Sequence, residues 1–233
     1  MADGLYVSMC GAAARAEQLD AVADNLANAQ TPGFKPARPA FESFLAASGA
    51  PDKVYPAAVA GGFDLSPGLV ARTDRPLDVL PEEGAFLQVR LPDGSTGYTR
   101  DGRLQIGPGR HLTAAGHPVL DKAGNPISIP ENEVPVVDAR GDVLVRDLAV
   151  GSLALWKLSG PANRVGTALL APGDGGKAEP AAVKVQSGEI ETGKPLEAAV
   201  SLISLQRGFD AAMQAIQTYR RMDDRSSELG RVR

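Results

Sequence analysis

His111 and His117 are where a search for metal binding or proton transfer has to begin, because the chain contains no other histidine. They stand six residues apart in turn-rich sequence. No cysteine or close carboxylate completes a metal-ligand spacing around them, although Asp121 follows His117. Neither belongs to a nucleophile elbow, so both read as surface or packing histidines. Gly173, Asp174, Gly175, Gly176 and Lys177 resemble a phosphate-binding loop in composition alone. The full glycine spacing, the Ser or Thr that would meet a metal-bound nucleotide, and a strand-to-helix setting are all missing, which leaves a turn. Asp74 and Asp78 are four apart in a segment without helical pattern, so they do not share a helix face. They are expected to cap turns or to pair with Arg72 and Arg75. Cys10, the single cysteine, excludes an intrachain disulfide and any multi-thiolate metal site. It sits among alanines and a methionine as a small packed residue. No catalytic, cofactor-binding or metal-binding residue emerges, and the expectation is that the protein is not an enzyme.

Charge and composition narrow the classes further. The 233 residues carry a formal charge of -4, which supplies no electrostatic footprint for a nucleic acid. The most basic stretch is the tail, where Arg220, Arg221, Arg225, Arg231 and Arg233 are interleaved with Asp223, Asp224 and Glu228, as on a solvated helix surface. Phe86, Tyr98 and Trp156 are expected in an apolar core, since no basic residues interleave with them to make a base-stacking surface. The first residues show no signal-peptide pattern. No stretch approaches the ~20 continuous apolar residues of a membrane span.

The elements that remain are built for packing. Leu5, Met9, Ala12, Ala16, Leu19, Ala23 and Leu26 alternate spacings of four and three, a heptad stripe, and predict a helix over 5–29. Asn28, Thr31, Pro32 and Gly33 then punctuate it. Residues 30–72 are rich in Pro, Gly and Ala and hold no period. They read as an extended connector with an apolar anchor at Phe41, Phe44 and Leu45.

From Arg72 to Gln186 short β runs alternate with turns, including Phe86–Leu91, Gly97–Arg100, Leu104–Ile106, Gly151–Leu158 and Val165–Leu170, with a loop over Gly173–Glu179. The pairs Asp93-Gly94 and Asp101-Gly102 mark turns. Residues 195–229 return to helix, with Leu202, Leu205, Phe209, Ala212, Ile216 and Tyr219 on one stripe, Met213 beside them and Pro195 in the first turn. The expected domains are a helix over 1–30, a connector over 31–71, a β-rich domain over 72–186, and a turn with a second helix over 187–233. The fold class is mixed α and β, with N- and C-terminal heptad-patterned helices packing together and a mostly antiparallel central β domain. Such helices serve either as an ordinary helical subdomain or as packing surfaces for further copies.

Ordered blocks along the chain carry a family resemblance. Asp24-Asn25-Leu26-Ala27-Asn28-Ala29-Gln30-Thr31-Pro32-Gly33-Phe34-Lys35 is similar to the signature of the bacterial flagellar rod and hook family, with Asp24 where members commonly have asparagine. Thr73–Val79, Gly84–Val89 and Gly97–Gly102 resemble the central domain of its basal-body rod proteins. Val185–Glu191 and Leu196–Phe209 resemble the approach to the last helix and that helix itself, with Gly208 where the family has a more helix-friendly residue. The connector, the Arg75–Val79 block and the overall length look like the proximal rod type. The distal rod or a hook-related member is the close alternative, and a secreted β-rich binding module is the alternative of another class.

The resemblance implies a structural subunit of the proximal rod that supports axial assembly, transmits torque and serves motility. It implies export without a cleaved signal through the flagellar type III apparatus, and residence in the rod within the periplasm. The implied partners are further copies of the chain, neighbouring rod proteins and the export apparatus, with no cofactor, nucleic acid or membrane span. Asn25, Asn28, Thr31, Pro32, Gly33 and Phe34 are the signature residues. Thr31 to Phe34 would fix the exit from the first helix, with Phe34 as an anchor.

Overall fold

The computed structural model describes residues 2–45 and 54–231, with side-chain surroundings for 8–38, 61–222, 224 and 225. Phe41, Phe44 and Leu45, the expected connector anchor, and Leu5 lie outside the described side chains. The chain forms two compact units.

The first unit comprises Met1–Ala27, Ala37–Gly61 and Pro195–Arg233. Its long helices are α1, Ala2–Ala27, and α2, Pro195–Arg231. The alanine-rich composition of α1 favours helix by propensity. Helix α2 begins on a proline whose missing N–H would be unpaired in any first turn, with Glu197 complementing the helix dipole there. The two helices pack against each other, and Arg15 Nη1 donates to the Gly208 carbonyl. The stretch expected to be an extended connector contains paired strands, Ala37–Leu45 (β1) and Val54–Phe63 (β2), which form a two-stranded sheet with β1 against α1.

The second unit, Asn28–Pro36 with Gly62–Lys194, is antiparallel β structure. It opens with Leu69–Arg72 (β3), Val79–Pro81 (β4), Phe86–Arg90 (β5), Thr96–Thr99 (β6), Gln105–Ile106 (β7), Leu112–Ala114 (β8) and His117–Pro118 (β9). Val136–Val137 (β10), Asp142–Val145 (β11), Leu148–Ser152 (β12), Leu155–Ser159 (β13) and Ala162–Gly166 (β14) follow. Leu169–Pro172 (β15), Lys177–Pro180 (β16), Val185–Ser187 (β17) and Glu189–Thr192 (β18) complete it. A six-stranded sheet runs β14-β15-β6-β5-β13-β16. Two three-stranded sheets, β7-β8-β9 and β10-β11-β12, and two ribbons, β3 with β18 and β4 with β17, surround it.

The central strands of the large sheet are covered on both faces. Side chains alternate across a strand, so Leu87, Leu155 and Leu169 enter one apolar cluster while Phe86, Trp156 and Leu170 enter another with Tyr98. The expected aromatic core is therefore present, with Tyr98 and Trp156 edge to face at 6.0 Å.

Three local expectations are corrected. Val165–Leu170 is not one strand: β14 ends at Gly166, Thr167-Ala168 make the hairpin turn, and β15 begins at Leu169, with a register shift between Arg164 and Gly166. Gly151–Leu158 breaks at Leu153-Ala154, where the chain passes from one sheet to another. Gly173–Glu179, expected as a loop, ends in β16, which pairs with β13 as the edge of the large sheet. Asp93-Gly94 makes the β5–β6 hairpin turn, with Asp93 accepting from Ser95 N at 2.9 Å and Gly94 at φ 85°. Asp101-Gly102 instead carries the chain between sheets. An added Cβ at Gly102 would lie 1.6 Å from the Val79 carbonyl oxygen, so close backbone approach requires this glycine.

Candidate assembly site

On the helices, the expected stripes and the surfaces buried inside the chain are not the same. Of the α1 stripe, Ala12 is buried, Ala16, Leu19 and Leu26 are half-buried, and Met9 and Ala23 are exposed. The line most completely buried is Ala14, Gln18, Val22 and Asn25, about a third of a turn around the helix from the stripe at 3.6 residues per turn. Gln18 is 6% exposed, and its Oε1 has no hydrogen-bond partner among the described residues.

On α2 the expected stripe faces inward more fully. Ile216 is buried, Leu202, Leu205, Phe209 and Ala212 are half-buried, and Met213 and Tyr219 stay exposed. A second apolar line, Leu196, Val200 and Ile203, lies on the opposite face by the same periodicity. These residues are 77%, 60% and 53% exposed. Helix α2 is thus apolar on two faces.

The signature residues form a separate, tightly bonded structure. Asn25, buried on α1, uses both amide atoms on one peptide. Its Nδ2 donates to the Ala37 carbonyl and its Oδ1 accepts from the Ala37 N–H, both at 2.8 Å. Helix α1 ends at Ala27, and Thr31 N then donates to the Asn28 carbonyl at 2.9 Å. In the following turn Phe34 N donates to the Thr31 carbonyl at 3.2 Å. Pro32 and Gly33 take its two central positions, and Gly33 has φ 71°. Proline followed by a left-handed glycine suits a type II turn.

Gly33 is also where this turn meets the strand unit. Its N–H donates to the Glu191 carbonyl at 2.9 Å, and an added Cβ would stand 2.0 Å from Asp101 N. Phe34 is buried beneath the guanidinium of Arg164, 4.3 Å from the ring centroid. The same guanidinium lies 4.9 Å from the Phe63 ring, and its Nη2 donates to the Lys35 carbonyl at 2.7 Å.

Beside this stack lies a buried charge cluster. Lys35, Arg100 and Glu191 are each at most 3% exposed. Lys35 Nζ donates to Glu191 Oε1 and, at 2.7 Å, to the Ser66 carbonyl. Arg100 Nε donates to Glu191 Oε2 at 2.6 Å, while its Nη1 and Nη2 donate to the carbonyls of Ala85 and Pro81. Burial holds Lys35 below the usual lysine range, and the Glu191 charge only partly offsets it. Burial alone would raise Glu191, but the charges of Arg100 and Lys35 and their hydrogen bonds hold its carboxyl below the ordinary range. Two cations share one carboxylate, so Glu191 is the residue on which the cluster depends.

Neighbouring backbone completes the arrangement. An added Cβ at Gly193 would lie 2.7 Å from the Ala29 carbonyl oxygen. The segment leading from α1 and the segment leading to α2 therefore cross backbone to backbone within the strand unit. Lys35, Arg100, Glu191 and Arg164 were not singled out by local sequence patterns, because their partners are remote in sequence, as with 91 residues between Arg100 and Glu191. The readable signal is a charged residue within each of three motif blocks, Lys35 and Glu191 at the ends of theirs and Arg100 inside Gly97–Gly102.

The residues first considered for chemistry have ordinary structural places. His111 Nδ1 is 3.1 Å from Ser128 Oγ. Arg72 Nε donates to Asp74 at 2.6 Å, and Arg75 approaches the buried Asp78 at 3.9 Å. Among the described residues no group of three or more His, Cys, Asp or Glu side chains is placed to hold a metal, and no helix is long and apolar enough to cross a membrane.

Comparison with known proteins places this architecture. Residues 5–35 match the model for the flagella basal body rod protein, and 83–145 match the D1 domain of the flagellar hook protein FlgE/F/G. Residues 194–229 match the C-terminal model of the flagellar basal body rod FlgEFG proteins. The chain is 32% identical to the flagellar basal-body rod protein FlgF of Salmonella typhimurium, over 98% of each chain. It is 32% identical to FlgF of Mesorhizobium japonicum, over 71% of this chain and 69% of that one. It is 26% identical to the rod protein FlgG of Borreliella burgdorferi, over 94% and 95%.

Proposed function

The chain belongs to the flagellar basal-body rod protein family, and we propose that within it this protein is a subunit of the proximal rod, the FlgF type. As a family member it is a structural axial subunit that supports assembly. The proximal reading is supported by the end-to-end match to the Salmonella FlgF protein at 32% identity, against 26% for the Borreliella FlgG protein. In this reading the chain leaves the cytoplasm uncleaved through the flagellar type III apparatus and joins the rod in the periplasm. There it packs against further copies and other rod proteins and passes torque toward the hook.

The observation that carries assembly is the two-faced apolar character of α2. Leu202, Leu205, Phe209 and Ile216 face inward, while Leu196, Val200 and Ile203 stand in solvent on the opposite side. Burying the second face against a helix of a neighbouring subunit recovers about 25 cal/mol for each Å² of apolar surface covered. The α1 stripe that includes exposed Met9 and half-buried Leu19 and Leu26 is the matching surface, and exposed Tyr219 extends the α2 side.

The test replaces Leu196 and Ile203 together by Asp and follows the protein in purified basal bodies. The variant is expected to be made and to keep the folded-state fluorescence of Trp156, yet to be absent from the rod. Incorporation at the wild-type level would end the assembly reading. Immunoelectron microscopy of an internally tagged copy decides the position: label at the rod base supports the proximal type, and label further along the axis replaces it with the distal one.

A further inference from the structure

The strand unit carries an acidic apolar knob and a basic apolar groove at opposite ends of one small sheet. The groove, about 500 Å³, is floored by Leu153, Leu155, Ala181 and Val183. Lys122, Arg140 and Lys184 stand along it. One wall is the segment after β16. Ala181 N donates to the Leu155 carbonyl and the Lys184 carbonyl accepts from Glu82 N, while Ala181–Lys184 itself has no strand pairing. Arg140 is shared between Asp138 at 3.2 Å and Asp142 at 3.6 Å. Lys122 and Lys184 are exposed and have no carboxylate partner among the described residues, so they leave the groove positively charged.

The knob consists of the residues before β10 and the turn between β11 and β12. Val134 is 75% exposed, Leu148 73% and Val136 48%. Glu133 is bonded to Arg146, whereas Glu131 and Asp147 are exposed without a cationic partner among the described residues. Asn132, Arg146 and Asp147 all take positive φ, at 58°, 49° and 65°.

Topology separates the two features. The turn joining β10 to β11, Asp138 to Gly141, lies at the groove, and the turn joining β11 to β12 lies at the knob. The register Val136 with Leu144 and Val137 with Val143 places Val134 beyond the sheet on the knob side. At ~3.3 Å per residue the strand between them spans roughly 15 Å. Where one knob and one groove meet at each contact, the contact is heterologous, runs head to tail and generates a ring or a helical row.

We infer that the knob of one copy seats in the groove of the next, with Val134 and Leu148 against the apolar floor and Glu131 and Asp147 facing Lys122 and Lys184. Charge complementarity selects the occupant: the groove has two uncommitted lysines and the chain's own knob has two uncommitted carboxylates. A groove of this size holds a few side chains. The inference rests on the reading of the chain as an axial subunit and names a lateral contact that its helices do not make.

The experiment uses the full chain with Cys10→Ser, and compares Val134→Cys alone, Ala182→Cys alone and their mixture under mild oxidation, in sedimented assemblies and in isolated basal bodies. The expected result is a covalent dimer in the mixture, at least ten times more abundant than in either variant alone. Adding Lys122→Glu and Lys184→Glu to the Ala182→Cys chain should reduce that dimer about tenfold. Adding Glu131→Lys and Asp147→Lys to its partner should restore it. Assemblies that sediment normally but give no such dimer, or a covalent product with a different rod protein, overturn the knob-and-groove contact while leaving the axial role standing. A chain that neither sediments as an assembly nor enters basal bodies refutes the axial role itself.

Discussion

Changing Glu191 to Gln and Lys35 to Met tests whether the buried charge cluster locks the signature turn to the strand unit. The cluster holds two cations and one carboxylate. Lys35→Met removes the surplus cation, keeps most of the apolar stem and leaves a one-to-one pair between Arg100 and Glu191. Its cost should be about 1 kcal/mol, because the lost bonds are offset by relief from burying an excess charge. Glu191→Gln leaves both cations buried without a counter-charge, and breaking a buried pair in this way costs ~3–5 kcal/mol.

Trp156, the single tryptophan, packs in the strand unit against Tyr98 and reports the unfolding of that unit. At a urea slope of ~2 kcal/mol/M, the glutamine variant should lose about 2 M in midpoint and the methionine variant about 0.5 M. The pH dependence adds a second signature. Glu191 is held below its ordinary value, so its contribution is complete above the unfolded carboxylate pKa of ~4.3 and is lost as pH falls through the lower folded value. The wild type should therefore lose stability in that acid window, and Glu191→Gln should lose less there. Equal midpoint losses for the two variants, or a greater loss for Lys35→Met, would refute the assignment of Glu191 as the keystone.

Three further substitutions address the backbone and the helices. Gly33→Ala places a Cβ 2.0 Å from Asp101 N at a left-handed φ. It should cost at least ~2 kcal/mol in the same Trp156 assay, and a loss under ~0.5 kcal/mol would mean the turn is not held as described. Gly208→Ala meets nothing closer than Arg15 Cζ at 3.9 Å and should stabilise α2 by ~0.5–1 kcal/mol. Thermal melting followed by far-ultraviolet circular dichroism checks it, and a lower midpoint would contradict it. Gln18→Leu removes a buried oxygen that has no partner among the described residues. It should raise the stability of the isolated chain by ~1–2 kcal/mol, and a destabilised helical signal would show that the amide has a partner it cannot spare.

The helices and the turn chemistry were legible because both are local. A three-four apolar spacing specifies a helix wherever it occurs, and Pro32-Gly33 specifies a turn with a left-handed second residue. What spacing could not specify is which helix face is buried within the chain. The heptad stripe on α1 and the buried line through Ala14, Gln18, Val22 and Asn25 differ, because alanine lets a helix approach a neighbour from several sides. The β14–β15 hairpin was hidden for a related reason. Val165 to Leu170 reads as one short strand, and no local signal marks Thr167-Ala168 as the turn that ends β14 at Gly166 and starts β15 at Leu169. Asp101-Gly102 carries a strong turn signal, yet its glycine answers a crossing with Val79 more than twenty residues earlier in the chain. The charge cluster was the least legible feature, since Lys35, Arg100 and Glu191 lie in three separate blocks and become partners only on folding.

The placement of that cluster explains the types of residue found in the signature. Thr31 to Lys35 leaves α1 and Glu191 to Lys194 leads into α2, and both segments are bonded into the same part of the strand unit. Gly33 and Gly193 are pressed against backbone, Phe34 is capped by Arg164, and Glu191 holds a cation from each side. Several short polar contacts in a water-excluded place resist displacement better than one long side chain at the surface, because each must be desolvated and paired again to move. The signature residues are therefore explained by packing within the strand unit: glycine where two backbones must touch, phenylalanine where a cation can cover it, and lysine at a buried carboxylate.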